Sequence, residues 1–298
     1  MLAGLFHRIR QHRIASFFVL AYAISWSLDA TVLLLEMEPS WTRWIISGFL
    51  SALGPAFAAA IVLYASRENL MAWLGRALRW RVRPKWYAVA IGIPVIVALG
   101  SGLIAQALGS PVDFASFTFD PLTLVIGILL GTTIGGGQEE FGWRGFAQPE
   151  LQERYGGLWA AVILGALWGL WHLPLFFDPT AVHAQWPLRS QLAYFVGIIA
   201  FSILLAWVYN GSGGSILLAM LMHGTENAAG GVVPLDVERI IVEGVPDWAA
   251  LAPLNVSHAV LMWLIALAVI GITGRRLSDQ NVSRRSPTGT SRGGGGDR

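Results

Sequence analysis

In the stretch "IGGGQEEFGWRGF" (134–146), Glu139 and Glu140 lie side by side at the end of a long apolar run, and Arg144 follows. Further on, "LWGLWHLP" carries His172 and "MHGTEN" carries His223 and Asn227, again in apolar surroundings. Ionisable side chains are costly where water is scarce, so each is a functional candidate by default. Helical geometry divides the first group. At about 100° per residue, Glu140 and Arg144 are about 40° apart, a favourable i,i+4 pair, whereas Glu139 lies about 140° from Arg144. Glu140–Arg144 therefore reads as a structural pair, and Glu139 is left to face a cavity. A carboxylate without a cation in an apolar site suits general acid–base work. His223 and Asn227 share one helix face, and an imidazole and an amide aimed at one point can stabilise a developing oxyanion.

The neighbouring residues shape this chemistry. Trp168, one turn before His172, forms an aromatic wall that restricts the imidazole and limits water. Pro174 can kink the helix just beyond it. Gly135, Gly136 and Gly137 loosen the helix before the glutamates or permit close backbone approach. An intramembrane histidine taken singly is also an ordinary helix–helix hydrogen bonder. Two histidines, a free glutamate and an asparagine on three apolar segments are harder to explain as independent glue. Glu226 reads as a secondary polar residue. Asp29, Asn255 and His258, each isolated in its segment, read as packing residues.

The elements that must position these groups are membrane helices. Charged residues make up only 13% of the 298 residues, against roughly 25% in soluble domains, and the mean hydropathy is +0.58. The chain is expected to be an all-α polytopic membrane protein. Eight apolar spans, each near the roughly 20 residues needed to cross the hydrocarbon core, fall at about 14–35, 44–64, 86–108, 121–140, 157–177, 190–209, 215–233 and 251–273. Together, 1–277 form an eight-helix membrane domain with a buried active-site cavity. With the N-terminus in the cytoplasm, 17 of the 20 basic residues fall in cytoplasmic segments and 3 outside. This split predicts both termini cytoplasmic and an even number of spans. Residues 67–85 read as a helix lying at the cytoplasmic interface, 234–250 as an outer loop, and 278–298 as a disordered polar tail. The absence of cysteine excludes a thiol nucleophile and thiolate metal sites. The basic balance follows topology and does not point to nucleic acid.

Depth adds a constraint. If the fifth span began at Gly157, His172 would lie about 22 Å along it, too far from a Glu139 near the opposite end of its own helix. The fourth helix must then run on past Gly145, with Pro149 as the expected bend. Glu139, His172, His223 and Asn227 are predicted to converge on one cavity.

Glu139-Glu140-x-x-x-Arg144, followed by Trp168-x-x-x-His172 and by His223-x-x-x-Asn227, resembles the CPBP family of intramembrane proteases. That family includes the type II CAAX prenyl endopeptidases and bacteriocin-processing, Abi-like immunity homologues. The resemblance covers about 120–233. It implies hydrolysis of peptide bonds in lipidated or hydrophobic peptides. Glu139 and His172 would activate water, His223 and Asn227 would stabilise the oxyanion, and Glu140, Arg144 and Trp168 would support them. Trp168 stands where the family commonly has phenylalanine.

The resemblance leaves the cofactor open between none and zinc. Glu139, His172 and His223 could supply three zinc ligands and leave one position for water, but the sequence has no H-E-x-x-H. The expected partners are a hydrophobic or lipidated peptide and membrane lipids. The expected location is the bacterial cytoplasmic membrane. Two other functions compete: a proton-coupled transporter, and a non-catalytic immunity or scaffold protein. No inverted repeat favours the transporter, and an intact set of four site residues favours retained chemistry.

Overall fold

The computed structural model describes residues 2–278, and they are almost entirely helical. The main elements are α1 (Leu2–Gln11), α2 (Arg13–Leu34), α3 (Gly54–Ala65), α4 (Lys85–Ala107), α5 (Pro121–Thr133), α6 (Gln148–Trp171), α7 (Leu188–Gly211), α8 (Ile216–Ala229) and α9 (Ala252–Thr273). Two-residue strands at 241–242 and 245–246 pair antiparallel in one connecting segment. Six helical runs are long and apolar enough to cross a membrane. The protein is an all-α polytopic membrane protein. Residues 279–298, most of the expected polar tail, lie outside the described residues.

The eight-span reading is corrected at its centre. The expected spans 121–140 and 157–177 belong to one 51-residue run, 121–171. Within it, α5 stops at Thr133. Gly136 takes φ 117°, a conformation that favours glycine, and the chain restarts there. A short 3-10 turn (Gly137–Glu139), a short α segment (Glu140–Gly142) and a π-helical turn (Trp143–Ala147) lead straight into α6. Glu139, Glu140 and Arg144 therefore stand at the start of a new helical run, not at the end of the fourth span. This removes the depth problem: 137–155 leads away from Glu139, the chain breaks at Gly156, and the helix from 157 returns to bring Trp168 and His172 back to the cavity with Glu139. Pro149 makes no bend: it sits in the first turn of α6, where its missing N–H costs little. The break falls at Gly156 (φ 74°, ψ 170°). His172 is the C-cap of α6, and Pro174 turns the chain into a 3-10 turn (Leu173–Phe176).

The expected span 215–233 is also shorter. Helix α8 has 14 residues and is wrapped by α4, α5 and α7. Ile216, Leu218, Ala219 and Met222 have no exposed surface. Such all-round burial marks a core helix. By contrast, Leu122, Val125, Ile126, Leu129 and Leu130 of α5 are exposed, as a lipid-facing side requires.

The segment 67–85 is not a single interfacial helix. Leu70–Leu74 is α-helical and is followed by a 3-10 turn to Leu78, and Lys85 already opens α4. It clamps the centre of the fold: Trp73 is buried with its indole N–H on the Phe141 carbonyl, and Arg76 donates to the Gly145 carbonyl at 2.6 Å and to the Tyr209 hydroxyl at 3.2 Å.

Candidate active site

Two glycines bring the site together. A Cβ on Gly131 of α5 would lie 2.5 Å from the carbonyl oxygen of Gly224 on α8, and a Cβ on Gly224 would collide with the backbone of Thr132. The two backbones touch, so His223 and Asn227 stand directly beside 135–139. The result is a cavity of about 630 Å³, within the range of small-molecule and peptide pockets. It is lined by Glu139, Trp168, His172, His223 and Asn227 among others. The four residues expected to converge do share this cavity.

Glu139 is held by two indoles. Trp143, one turn later, and Trp168 on α6 both donate N–H to its Oε2, at 3.0 and 2.9 Å. The second oxygen, Oε1, is left for a reactant. Trp168 also links Glu139 to His172, because its backbone carbonyl lies 2.9 Å from His172 Nδ1. A carbonyl can only accept, so His172 carries its proton on Nδ1 and leaves Nε2 as a lone-pair acceptor.

Glu140 and Arg144 form the expected i,i+4 pair at 3.1 Å, and both side chains are fully buried. The carboxylate does more than neutralise the arginine. Its Oε1 lies 2.8 Å from His223 Nδ1 and so orients that ring, with Nε2 on the cavity side. Arg144 also donates to Ser202 at 2.9 Å, and its guanidinium lies over Trp168 at 4.8 Å. Asn227 donates one amide hydrogen to the Gly135 carbonyl at 2.5 Å and keeps a second. A Cβ at Gly136 would sit 2.5 Å from Asn227 Nδ2 and 2.9 Å from His223 Nε2. Glycine at 136 thus leaves free the space between these two nitrogens, where an oxyanion would be received.

Glu139, His172 and His223 line one cavity, but among the described residues no three His, Asp or Glu side chains gather as a metal-holding group. Hydrogen bonds hold Oε2 of Glu139 and Nδ1 of each histidine, which leaves Glu139 Oε1 and the two Nε2 atoms as the donors a metal ion would use.

Three residues read as packing groups line the cavity instead. Asp29, Asn255 and His258 all face it, together with Glu226. Glu226 of α8 pairs with His258 Nε2 of α9 at 2.6 Å, while Glu226 Oε2 and Asn255 Nδ2 are buried without a hydrogen-bond partner. Asn255 and His258 share α9, but Glu226 lies on α8 and Asp29 on α2, so spacing along one helix does not announce the cluster. Trp143 was equally silent as a partner of Glu139, although its i,i+4 spacing from Glu139 was there to be found.

Beyond His172 the cavity reaches the 177–187 connection. There His183 packs against Phe176, Trp186 and Tyr194. Burial among these rings holds the His183 imidazole down at about 4, so it is neutral at ordinary pH.

Comparison with known proteins places these residues in context. Residues 121–229 match the model of the Rce1-like type II CAAX prenyl endopeptidases. A curated relative, CAAX prenyl protease 2 of Methanococcus maripaludis, is 34% identical over 113 residues, which is 36% of this chain and 40% of the relative. The chain therefore spans about 40% of the length of the curated relative it matches. The matched segment holds every residue from Glu139 to Asn227 discussed above.

Proposed function

We propose, for a chain whose residues 121–229 match the model of the Rce1-like endopeptidases, that the whole protein is an endopeptidase cleaving hydrophobic or lipidated peptides inside the membrane. The observation that carries this reading is the carboxylate of Glu139. One oxygen is fixed by two indoles and the other is free, in a cavity shared with two oriented histidines. In the proposed reaction Glu139 Oε1 and His172 Nε2 polarise a water, and Glu139 takes its proton as the water attacks the scissile carbonyl. The tetrahedral oxyanion is received by the second amide hydrogen of Asn227 and by Nε2–H of His223 as imidazolium, balanced by Glu140. Glu139 then passes the proton to the leaving amine as the C–N bond breaks, which restores the starting state. Each step uses side chains of this chain alone.

The test is cleavage by purified protein in detergent or liposomes, on a prenylated CAAX reporter and a panel of unmodified hydrophobic peptides. The proposal expects cleavage by the wild type, loss in His172→Ala, and a rate unchanged by a chelator. Equal rates in wild type and His172→Ala would sink the mechanism. Strong inhibition by the chelator, restored by zinc, would replace it with a metal-dependent one.

The Glu226–Asn255 wall supports a substrate-binding role. Both residues line the cavity, and a peptide amide's N–H and C=O would supply the partners that their buried Oε2 and Nδ2 lack. Removing a hydrogen bond to a charged group costs about 1.5–3 kcal/mol. Glu226→Gln is therefore expected to raise KM by roughly tenfold or more with kcat little changed, as steady-state kinetics would read.

A further inference from the structure

Helix α2 lies outside residues 121–229, yet its aromatic side chains bear directly on the elements of the site. Phe18, Tyr22 and Trp26 follow one another at i,i+4 and so share one face of α2, with Phe17 beside them. The Tyr22 hydroxyl donates to the Leu167 carbonyl at 2.5 Å, and the Trp26 indole N–H donates to the Trp171 carbonyl at 2.9 Å. The two rings pack edge to face, with centroids 4.9 Å apart. Trp171 is the last residue of α6, where carbonyls run out of intrahelical donors. Two donors from α2 therefore grip carbonyls one turn apart, at the end of α6.

That turn holds the two residues of α6 on which the site depends. Trp168 gives its indole N–H to Glu139, and its carbonyl lies against His172 Nδ1. His172 is the C-cap, and the chain passes beyond it into the 3-10 turn Leu173–Phe176, so its place is set by how the last turn of α6 ends. The same face of α2 braces Glu139. Phe17 and Phe18 pack on Trp143 with ring centroids 5.6 and 6.2 Å away, and the buried Trp143 donates to Glu139 Oε2. Trp143 in turn packs on Trp171 at 5.9 Å, and Trp171 meets the His172 ring at 4.8 Å. Packing alone would need only apolar rings. The hydroxyl and the indole N–H add direction, because each bond fixes one carbonyl.

We infer that Tyr22 and Trp26 are positioning residues of the site: they hold the end of α6 so that His172 Nε2 meets the reactant together with Glu139 Oε1. For its effect on rate this rests on the endopeptidase reading. Neither residue lines the cavity, so substrate binding is spared. A misplacement of about 1 Å from a distant change can cost about 10²-fold in rate.

The test uses the full chain in detergent. Tyr22→Phe removes one oxygen, and Trp26→Phe removes the indole N–H. A benzothienyl analogue of tryptophan placed at 26 removes the same N–H and keeps the bicyclic shape. Ser27→Ala is the control, since that hydroxyl bonds the Ile24 carbonyl of its own helix. On the peptide reporter, Tyr22→Phe and Trp26→Phe should each lower kcat, and together by about 10²-fold. KM should change little, and Ser27→Ala should match the wild type. Nitrogen-15 spectra of the imidazoles need no catalysis, and the His172 signals are assigned by their loss in His172→Ala. In the wild type His172 should show a protonated Nδ1. In the double variant that signal should move or broaden, while the remaining histidine signals stay in place. An unchanged kcat in the double variant, a raised KM in place of a lowered kcat, or an unmoved His172 signal overturns the inference. If the double variant does not fold, Tyr22→Phe and the benzothienyl analogue decide singly. If the wild type cleaves no peptide, the endopeptidase reading fails, and the His172 signal still tests the hold of α2 on α6.

Discussion

If Glu139 is the acid–base group of the proposed endopeptidase, Glu139→Gln is expected to lower the rate of peptide hydrolysis by about 10²–10⁴-fold, the usual contribution of such a group. The substitution is close to isosteric. Its side-chain carbonyl can still accept from one indole, so the effect is chemical and not a collapse of the cavity. Peptide binding should persist, with kcat falling and KM little changed. Single-turnover kinetics on the best reporter from the panel separates the two. A variant retaining a third or more of the wild-type rate would remove Glu139 from the mechanism. The base would then have to be one of the cavity's other titratable groups, His172 first among them.

The second large effect is on the fold. Arg144→Ala leaves the Glu140 carboxylate fully buried with His223 as its sole ionic partner. Breaking a buried pair from one side costs about 3–5 kcal/mol where the remaining charge is uncompensated, and here only the His223 imidazole stays to offset it. The same change strips Ser202 of its donor and Trp168 of its cationic neighbour. The protein is expected to show a markedly lower melting temperature in detergent and poor recovery from membranes. The pairing argument makes a further demand. Glu140→Leu combined with Arg144→Met should recover much of the lost stability, since a buried pair can be replaced by apolar groups of similar size. It should not recover activity, because His223 would lose the carboxylate that orients it. A double variant no more stable than Arg144→Ala would show that the pair is not what is being lost.

The site was legible where its logic is local. The i,i+4 spacing of Glu140 and Arg144 marked them as a pair, and the angular offset of Glu139 marked it as the free carboxylate. The three short elements that face the cavity, at 139–144, 168–172 and 223–227, followed from spacing along helices. What was not legible depended on contacts between distant helices. Glu226 and His258 are 32 residues apart and become partners only when α8 packs on α9. Trp143 was hidden by abundance, since tryptophan in a membrane protein is ordinarily an interfacial anchor. The fold was legible in class and in most span limits. It failed between 134 and 156, where hydropathy cannot register a backbone break. Gly136 interrupts the helix without lowering the apolar character of the segment, so α5 ended seven residues before its expected limit.

The contact between Gly131 and Gly224 has a mechanical consequence. With backbone against backbone and no side chain between them, α5 and α8 share a joint with almost no slack. Any motion that separates them must pull apart close-packed peptide groups, so the nook formed by Gly136, His223 and Asn227 behaves as a stiff anvil. The opposite wall, with the π-helical turn Trp44–Leu50 and the aromatic cluster around His183, has no such joint. Widening of the cavity for a bulky peptide is therefore borne by that wall. The same division lets substitutions there reshape the pocket for a new peptide while the anvil keeps its dimensions.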